Sequence, residues 1–269
     1  MTKHVGNQFD ELIPDMFVFR LLRGPLAGRD LGTWFEDRVA MPRRTQAGSG
    51  GLTFHVMNRG VRKLRLFDDL SDYLIFTECV SAALERVDVD LFAFCVMPNH
   101  FHLIVRPRAD SDLTQFMRLA TVRHSKRWHR RRNSRGTGAV YQGRFRAVPV
   151  ETERYFYNAV RYVEANPLRA GLVSRAEAWP WSSLSQRCGG SNMLPLSPWP
   201  VPQPEGWAEH VNKLQGAEEL KHIRSVIRRS VPFGPQAWQA AVATVLGTAK
   251  GLRKPGRTTA AANMSGINS

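Results

Sequence analysis

The sequence predicts an α+β fold, an antiparallel sheet of ferredoxin-like or RRM-like type with helices, followed by a C-terminal helical extension. Three observations predict it. Apolar residues switch between period two and helical spacing in the order β-α-β-β-α-β-α between residues 52 and 167. Two of the strand patterns are separated only by Met97-Pro98-Asn99, which makes them a hairpin. A Pro-rich stretch then precedes two more apolar-periodic segments near 215–230 and 234–247.

Taken in order, Leu52 to Arg59 reads as a strand closed by Gly60. Asp68-Asp69 is a helix-start signal, and Leu70, Leu74, Ile75, Cys79, Val80, Ala83 and Leu84 follow at helical spacing. Val89 to Val96 is a second strand. Pro98 breaks it, because proline cannot donate to a ladder, and His100 to Arg106 forms a third. Asp112 opens a long helix through Phe116, Leu119, Ala120, Val122 and Trp128, and Gly136-Thr137-Gly138 ends that region. Phe145 to Val150 is a fourth short strand. Glu151-Thr152-Glu153 begins a helix carrying Tyr155, Phe156, Ala159, Tyr162 and Val163, limited by Pro167. The helices are expected on one face of the sheet.

The chain has 269 residues and a formal net charge of +15, which points to a polyanionic partner. No apolar run approaches the ~20 residues of a membrane span, and the N-terminus lacks a secretory pattern. Cys79, Cys95 and Cys188 form no C-x-x-C pair, which argues against a disulfide framework or zinc ribbon. A cytoplasmic protein with reduced thiols is expected.

Three features can carry chemistry. His100 and His102 lie at i and i+2 on a strand, so both rings leave the same face, as the start of a metal site requires. Two unrelated histidines would look the same. Tyr162 and Asn166 lie at i and i+4 on one helical face, where a phenol and an amide oxygen can address one point. Read structurally, they would be a core residue and a helix cap. Between Asp112 and Glu151 there is no acidic residue, while Arg118, Arg123, Lys126, Arg127, Arg130, Arg131, Arg132, Arg135, Arg144 and Arg146 occur. A single-sign, arginine-dominated run suits phosphate contacts. The interleaved Trp128, Tyr141 and Phe145 offer stacking surfaces for unpaired bases.

These residues resemble a family. Phe54-His55-Val56-Met57-Asn58-Arg59-Gly60, Met97-Pro98-Asn99-His100-Phe101-His102-Leu103, Tyr141-Gln142-Gly143-Arg144-Phe145 and the run Arg161 to Val173 are similar to those of the REP-associated tyrosine transposases. Trp179-Pro180-Trp181-Ser182-Ser183 resembles the family's next block, and the similarity runs in order from about Met41 to about Arg257. The resemblance implies an HUH endonuclease fold, named for the histidine-hydrophobic-histidine strand. It implies that His100, His102 and Asn166 hold Mg²⁺ or Mn²⁺ and that Tyr162 is the nucleophile. The third ligand position varies across the wider class, and here it is an amide, Asn166.

The implied activity is cleavage and rejoining of single-stranded DNA through a 5′-phosphotyrosine, on hairpin-forming repeats. A phenol is a weak nucleophile at neutral pH, which gives a cation beside the phosphate its role. Arg123, Lys126, Arg127, Arg130, Arg131, Arg144 and Arg146 would hold the strand. The rival is a non-catalytic binder of structured single-stranded nucleic acid on the same fold. Tyr155, two turns before Tyr162, is read as core. Oligomeric state stays open, since Tyr162 can serve its own metal site or, in a homodimer, that of a second copy. The expected divisions are an N-terminal extension (1–40) without counterpart in the family, the transposase domain (41–188), a Pro-rich linker (189–213), a helical C-terminal region (214–250) and a basic tail (251–269). Met41 reads as the native start.

Overall fold

The structure, a computed structural model, describes residues 48–213 and 215–248. The expected extension over 1–40 and the tail over 251–269 lie outside the described residues. Strands β1 (Thr53–Arg59), β2 (Val89–Met97), β3 (His100–Pro107) and β4 (Arg146–Val150) form one antiparallel sheet in the order β2-β3-β1-β4. With α1 (Leu70–Leu84) between β1 and β2 and α2 (Asp112–Arg131) between β3 and β4, this is the expected ferredoxin-like arrangement.

Local signals act where the sequence places them. The Asp69 side chain accepts from the Asp72 amide and caps α1. Pro98 and Asn99 make the β2–β3 turn, with Met97 opposite His100. That turn is pinned from outside: the Leu66 and Phe67 amides donate to the Pro98 carbonyl, and the Gly60 amide donates to the Asn99 carbonyl at 2.9 Å. Gly60 has no substitute here, because a Cβ would stand 2.3 Å from the Leu64 carbonyl oxygen.

The sheet has two covered faces, not one. Residues facing α1 and α2 include Phe54, Val56, Phe101 and Leu103, all fully buried, with the Phe76 ring 4.8 Å from that of Phe101. The other face carries His55, Met57, His100 and His102, since Met57 stands opposite His102 and Arg59 opposite His100. Over this second face run α3 (Arg154–Glu164) and the one-turn α4 (Asn166–Arg169). Pro167 does not stop the helix; it interrupts it at Ala165 and lies in the first turn of α4.

The two helices expected at the C-terminus are present as α7 (Ala217–Arg229) and α8 (Gln236–Val245); before them come α5 (Ser183–Arg187) and α6 (Trp207–Asn212), the latter within the segment expected as a linker. The Pro-rich segment packs along β2: the Ser197 amide donates to the Leu91 carbonyl at 2.8 Å, and Trp199 Nε1 to the Phe92 carbonyl at 3.2 Å. Both outer edges of the sheet are covered by this C-terminal chain. The Val96 amide donates to the Trp181 carbonyl on the β2 side, and the Phe233 amide to the Pro149 carbonyl on the β4 side. Among the described residues, no helix is long and apolar enough to cross a membrane.

Candidate active site

Strand β3 delivers His100 and His102 to one face, ring centroids 4.9 Å apart and nearly perpendicular. Helix α3 brings Tyr162 against them, its ring centroid 6.1 Å from that of His102. The phenol is 6% exposed, but it is buried against imidazoles of its own chain. The other tyrosines are committed elsewhere. Tyr73 stacks on Trp181, Tyr141 Oη bonds His124 Nδ1 at 2.7 Å, Tyr157 Oη donates to the Pro202 carbonyl, and Tyr155 meets Phe233 edge-on.

A third histidine completes the group. His55 Nε2 lies 2.8 Å from His102 Nδ1, and its ring is 6.0 Å from Tyr162. It belongs to the quoted segment Phe54–Gly60, but no role attaches to it from sequence. Its signal is register: period two puts it on the face of Met57, which β1–β3 pairing sets opposite His102.

The imidazoles are held neutral. Burial first, then the nearby Arg169 cation, lowers His55 to about 3. Enclosure by protein and then Arg59 and Arg169 lower His100 to about 3, and His102 is driven well below its usual value by burial and its histidine neighbours. His100 Nδ1 is 2.7 Å from Asn99 Oδ1, an atom that can only accept, so the ring proton sits on Nδ1 and Nε2 keeps its lone pair. When His102 Nδ1–H donates to His55, His102 Nε2 is likewise open. Partners of this kind orient imidazoles and leave one nitrogen of each ring free to act as an acceptor or ligand.

Asn166 follows one turn after Tyr162, and its buried Nδ2 has no hydrogen-bond partner. Rotation of the amide by 180° puts a ligand-competent oxygen at the same orphaned position. Among the described residues no cluster of three His, Cys, Asp or Glu side chains is placed to hold a metal. The expected donor set is two imidazoles and an amide, and no hydrogen bond joins Asn166 to either histidine among the described residues. That set is neutral and leaves a divalent cation's charge for phosphate oxygens.

The Tyr162 helix is anchored by Glu164, which is fully buried. Its Oε1 accepts from Ser183 Oγ at 2.5 Å and from Arg187, and its Oε2 from Trp207 Nε1 at 2.7 Å. Ser183 Oγ also meets the Phe94 backbone, so one carboxylate ties α3 to β2, α5 and α6.

The basic run divides. Helix α2 lies on the face away from the histidines, and part of it is spent on α1. Arg127 pairs with Glu78 at 2.5 Å, Arg131 with Asp69 and Asp72, and Arg132 with Asp68 and Asp72. Arg123, Lys126 and Arg130 are exposed or partly so and join no ion pair among the described residues. Arg144 is exposed in the loop before β4, and Arg146 stands opposite Met57 on the histidine face. Trp128 and Tyr141 are not stacking surfaces but core: Trp128 Nε1 donates to the Leu66 carbonyl, and Tyr141 holds His124.

Residues 49–166 match the family model described as "Transposase IS200 like". That segment is similar to the IS200-like transposases. A Haemophilus influenzae (strain ATCC 51907 / DSM 11121 / KW20 / Rd) protein named "Putative REP-associated tyrosine transposase" is 26% identical over 144 residues, which is 50% of this chain and 80% of that protein. A solved structure of "the REP associates tyrosine transposase bound to a REP hairpin" is 20% identical with a TM-score of 0.45, covering 60% of this chain and 94% of that one. The matched segment holds His55, His100, His102 and Tyr162 and reaches Asn166, whereas Arg169 and the C-terminal helices lie beyond the match.

Proposed function

We propose that this protein cleaves and rejoins single-stranded DNA, with Tyr162 as the nucleophile and His100, His102 and Asn166 as the holders of Mg²⁺ or Mn²⁺. The observation that carries the reading is selective placement: of the five tyrosines, Tyr162 is the one whose ring meets the histidine pair. The name of the H. influenzae relative, a REP-associated transposase, supports REP elements as the substrate, and the hairpin form is part of the proposal.

A divalent cation bound there supplies Lewis-acid polarisation of the scissile phosphate. Tyr162 Oη attacks phosphorus in line, giving a 5′-phosphotyrosine and a free 3′-hydroxyl. One phosphodiester replaces another, so rejoining by the reverse step needs no nucleotide cofactor. His55 fixes the tautomer of His102, and Asn99 that of His100. Both rings of the pair and the phenol belong to one chain, which supports a site complete within a single copy.

The test is covalent capture. A labelled hairpin oligonucleotide from repeats flanking the gene, incubated with Mn²⁺, gives an adduct stable to denaturing electrophoresis. Tyr162→Phe abolishes the adduct and keeps the hairpin shift, while His100→Ala and His102→Ala each lose metal-dependent cleavage. A shift without any adduct from the unaltered protein would leave a binding protein and no enzyme.

A further inference from the structure

Arg169 holds an unusual position among the site's charges. Its guanidinium carbon lies 4.3 Å from the centroid of the Tyr162 ring. Nη2 donates to the Tyr162 carbonyl at 2.6 Å and Nη1 to Gln215 Oε1 at 3.0 Å. Both partners are neutral. Among the described residues no carboxylate reaches the guanidinium, and the charged groups beside it are the cations Arg161 and Arg224. Burial pushes its proton affinity down, and the three imidazoles within its field are themselves neutral. A half-buried cation without an anion is unfavourable unless a ligand supplies one. Of the five N–H groups of a guanidinium, two are used here, and the planar fork that remains suits phosphate oxygens.

We propose that Arg169 receives the scissile phosphate, stacked on the phenol that attacks it. The inference rests on the cleavage reading for Tyr162. In the step it serves, the phenol loses its proton to water, the Oη–P bond forms, and the P–O3′ bond breaks. The departing 3′-oxygen takes a proton back from water, and Arg169 keeps its own throughout. It stabilises the charge gathered on the non-bridging oxygens as phosphorus passes through five-coordination. The side chain reaches this position from outside the matched transposase segment, held by Gln215 on the approach to α7.

The test separates contact from catalysis. In a Tyr162→Phe background without metal, the affinity of a single-stranded oligonucleotide is compared with that of one carrying a neutral methylphosphonate at the scissile position. Arg169 present, the methylphosphonate weakens binding about tenfold, the worth of one charge-assisted contact. With Arg169→Gln the two oligonucleotides bind alike, and with Arg169→Lys the difference is partly kept. In the catalytic background with Mn²⁺, Arg169→Gln slows adduct formation about 100-fold or more. A merely structural arginine would leave the methylphosphonate penalty unchanged, and that result overturns the proposal. Should the glutamine variant not melt cooperatively, the lysine variant reads the same penalty. If the unaltered protein forms no adduct yet the penalty vanishes with Arg169→Gln, the cleavage reading fails and the phosphate contact stands. If adduct forms and the penalty is indifferent to Arg169, only the contact fails.

Discussion

Replacing Glu164 by glutamine changes one atom in the anchor of the Tyr162 helix, and the structure sets the size of the effect. The carboxylate is 0% exposed and takes hydrogen bonds from Ser183, Arg187 and Trp207. Glutamine keeps the shape but presents an NH₂ group to one of these donors. It also leaves the Arg187 cation, 14% exposed, without its counter-charge. Breaking a buried ion pair from one side costs about 3–5 kcal/mol, and the retained acceptor argues for about 3. For a domain of this size each kcal/mol lowers the melting midpoint by about 2–4 °C, so a drop of about 6–12 °C is expected. Urea titration gives the free energy and thermal melting the midpoint. Because Glu164 sits two residues after Tyr162, the rate of adduct formation falls as well, measured well below the new midpoint. A loss smaller than about 1 kcal/mol would show that the network contributes little and that apolar packing alone holds α3.

Further outcomes follow from the same contacts. His55→Ala raises the Mn²⁺ concentration needed for half-maximal adduct about 10–100-fold, and His55→Gln raises it less, because an amide can still bond His102 Nδ1. His124, lowered to about 3 by burial first and by Arg132 and Arg127, gives the fold a pH dependence. The unfolded chain takes up that proton from about pH 6.5 downward and the folded one only near 3, so His124's contribution to stability falls as pH drops through this window, by about 1.4 kcal/mol per unit at full effect and on top of the like contributions of His55, His100 and His102. Melts from pH 7 to pH 4 show the slope, and His124→Gln reduces it. Arg132→Ala costs about 2–3 kcal/mol in urea titrations, because Asp72 is only 2% exposed, while Arg123→Ala and Arg130→Ala stay within about 0.5 kcal/mol.

The parts of this molecule that were readable from sequence are those whose geometry is local. Period two puts His100 and His102 on one face, and a two-residue turn fixes the hairpin without knowledge of the rest. The spacing of Tyr162 and Asn166 is local too, but the helix breaks between them at Ala165. What was not readable depends on neighbours distant in sequence. His55 acquires a role only because β1 lies beside β3, an adjacency that chain order does not state. The arginines of α2 look unneutralised along the chain, yet Asp68 and Asp69 just before α1 and Asp72 and Glu78 within it approach them. The prolines between Met193 and Pro204 suggest a spacer, and the Ser197 amide and Trp199 indole show a strap, because β2 offers carbonyl groups along its outer side.

That outer side has a consequence for how copies of the protein can meet. An open sheet invites another chain to extend its ladder, and both margins of this one are already taken, by Trp181 to Ser183 and Trp199 on one flank and by Phe233 on the other. Growth of the sheet across two molecules would first have to peel those residues away. Any self-association that leaves the fold intact must therefore come through helices or loops, and a version of the chain cut short after the transposase segment would bare two adhesive borders at once.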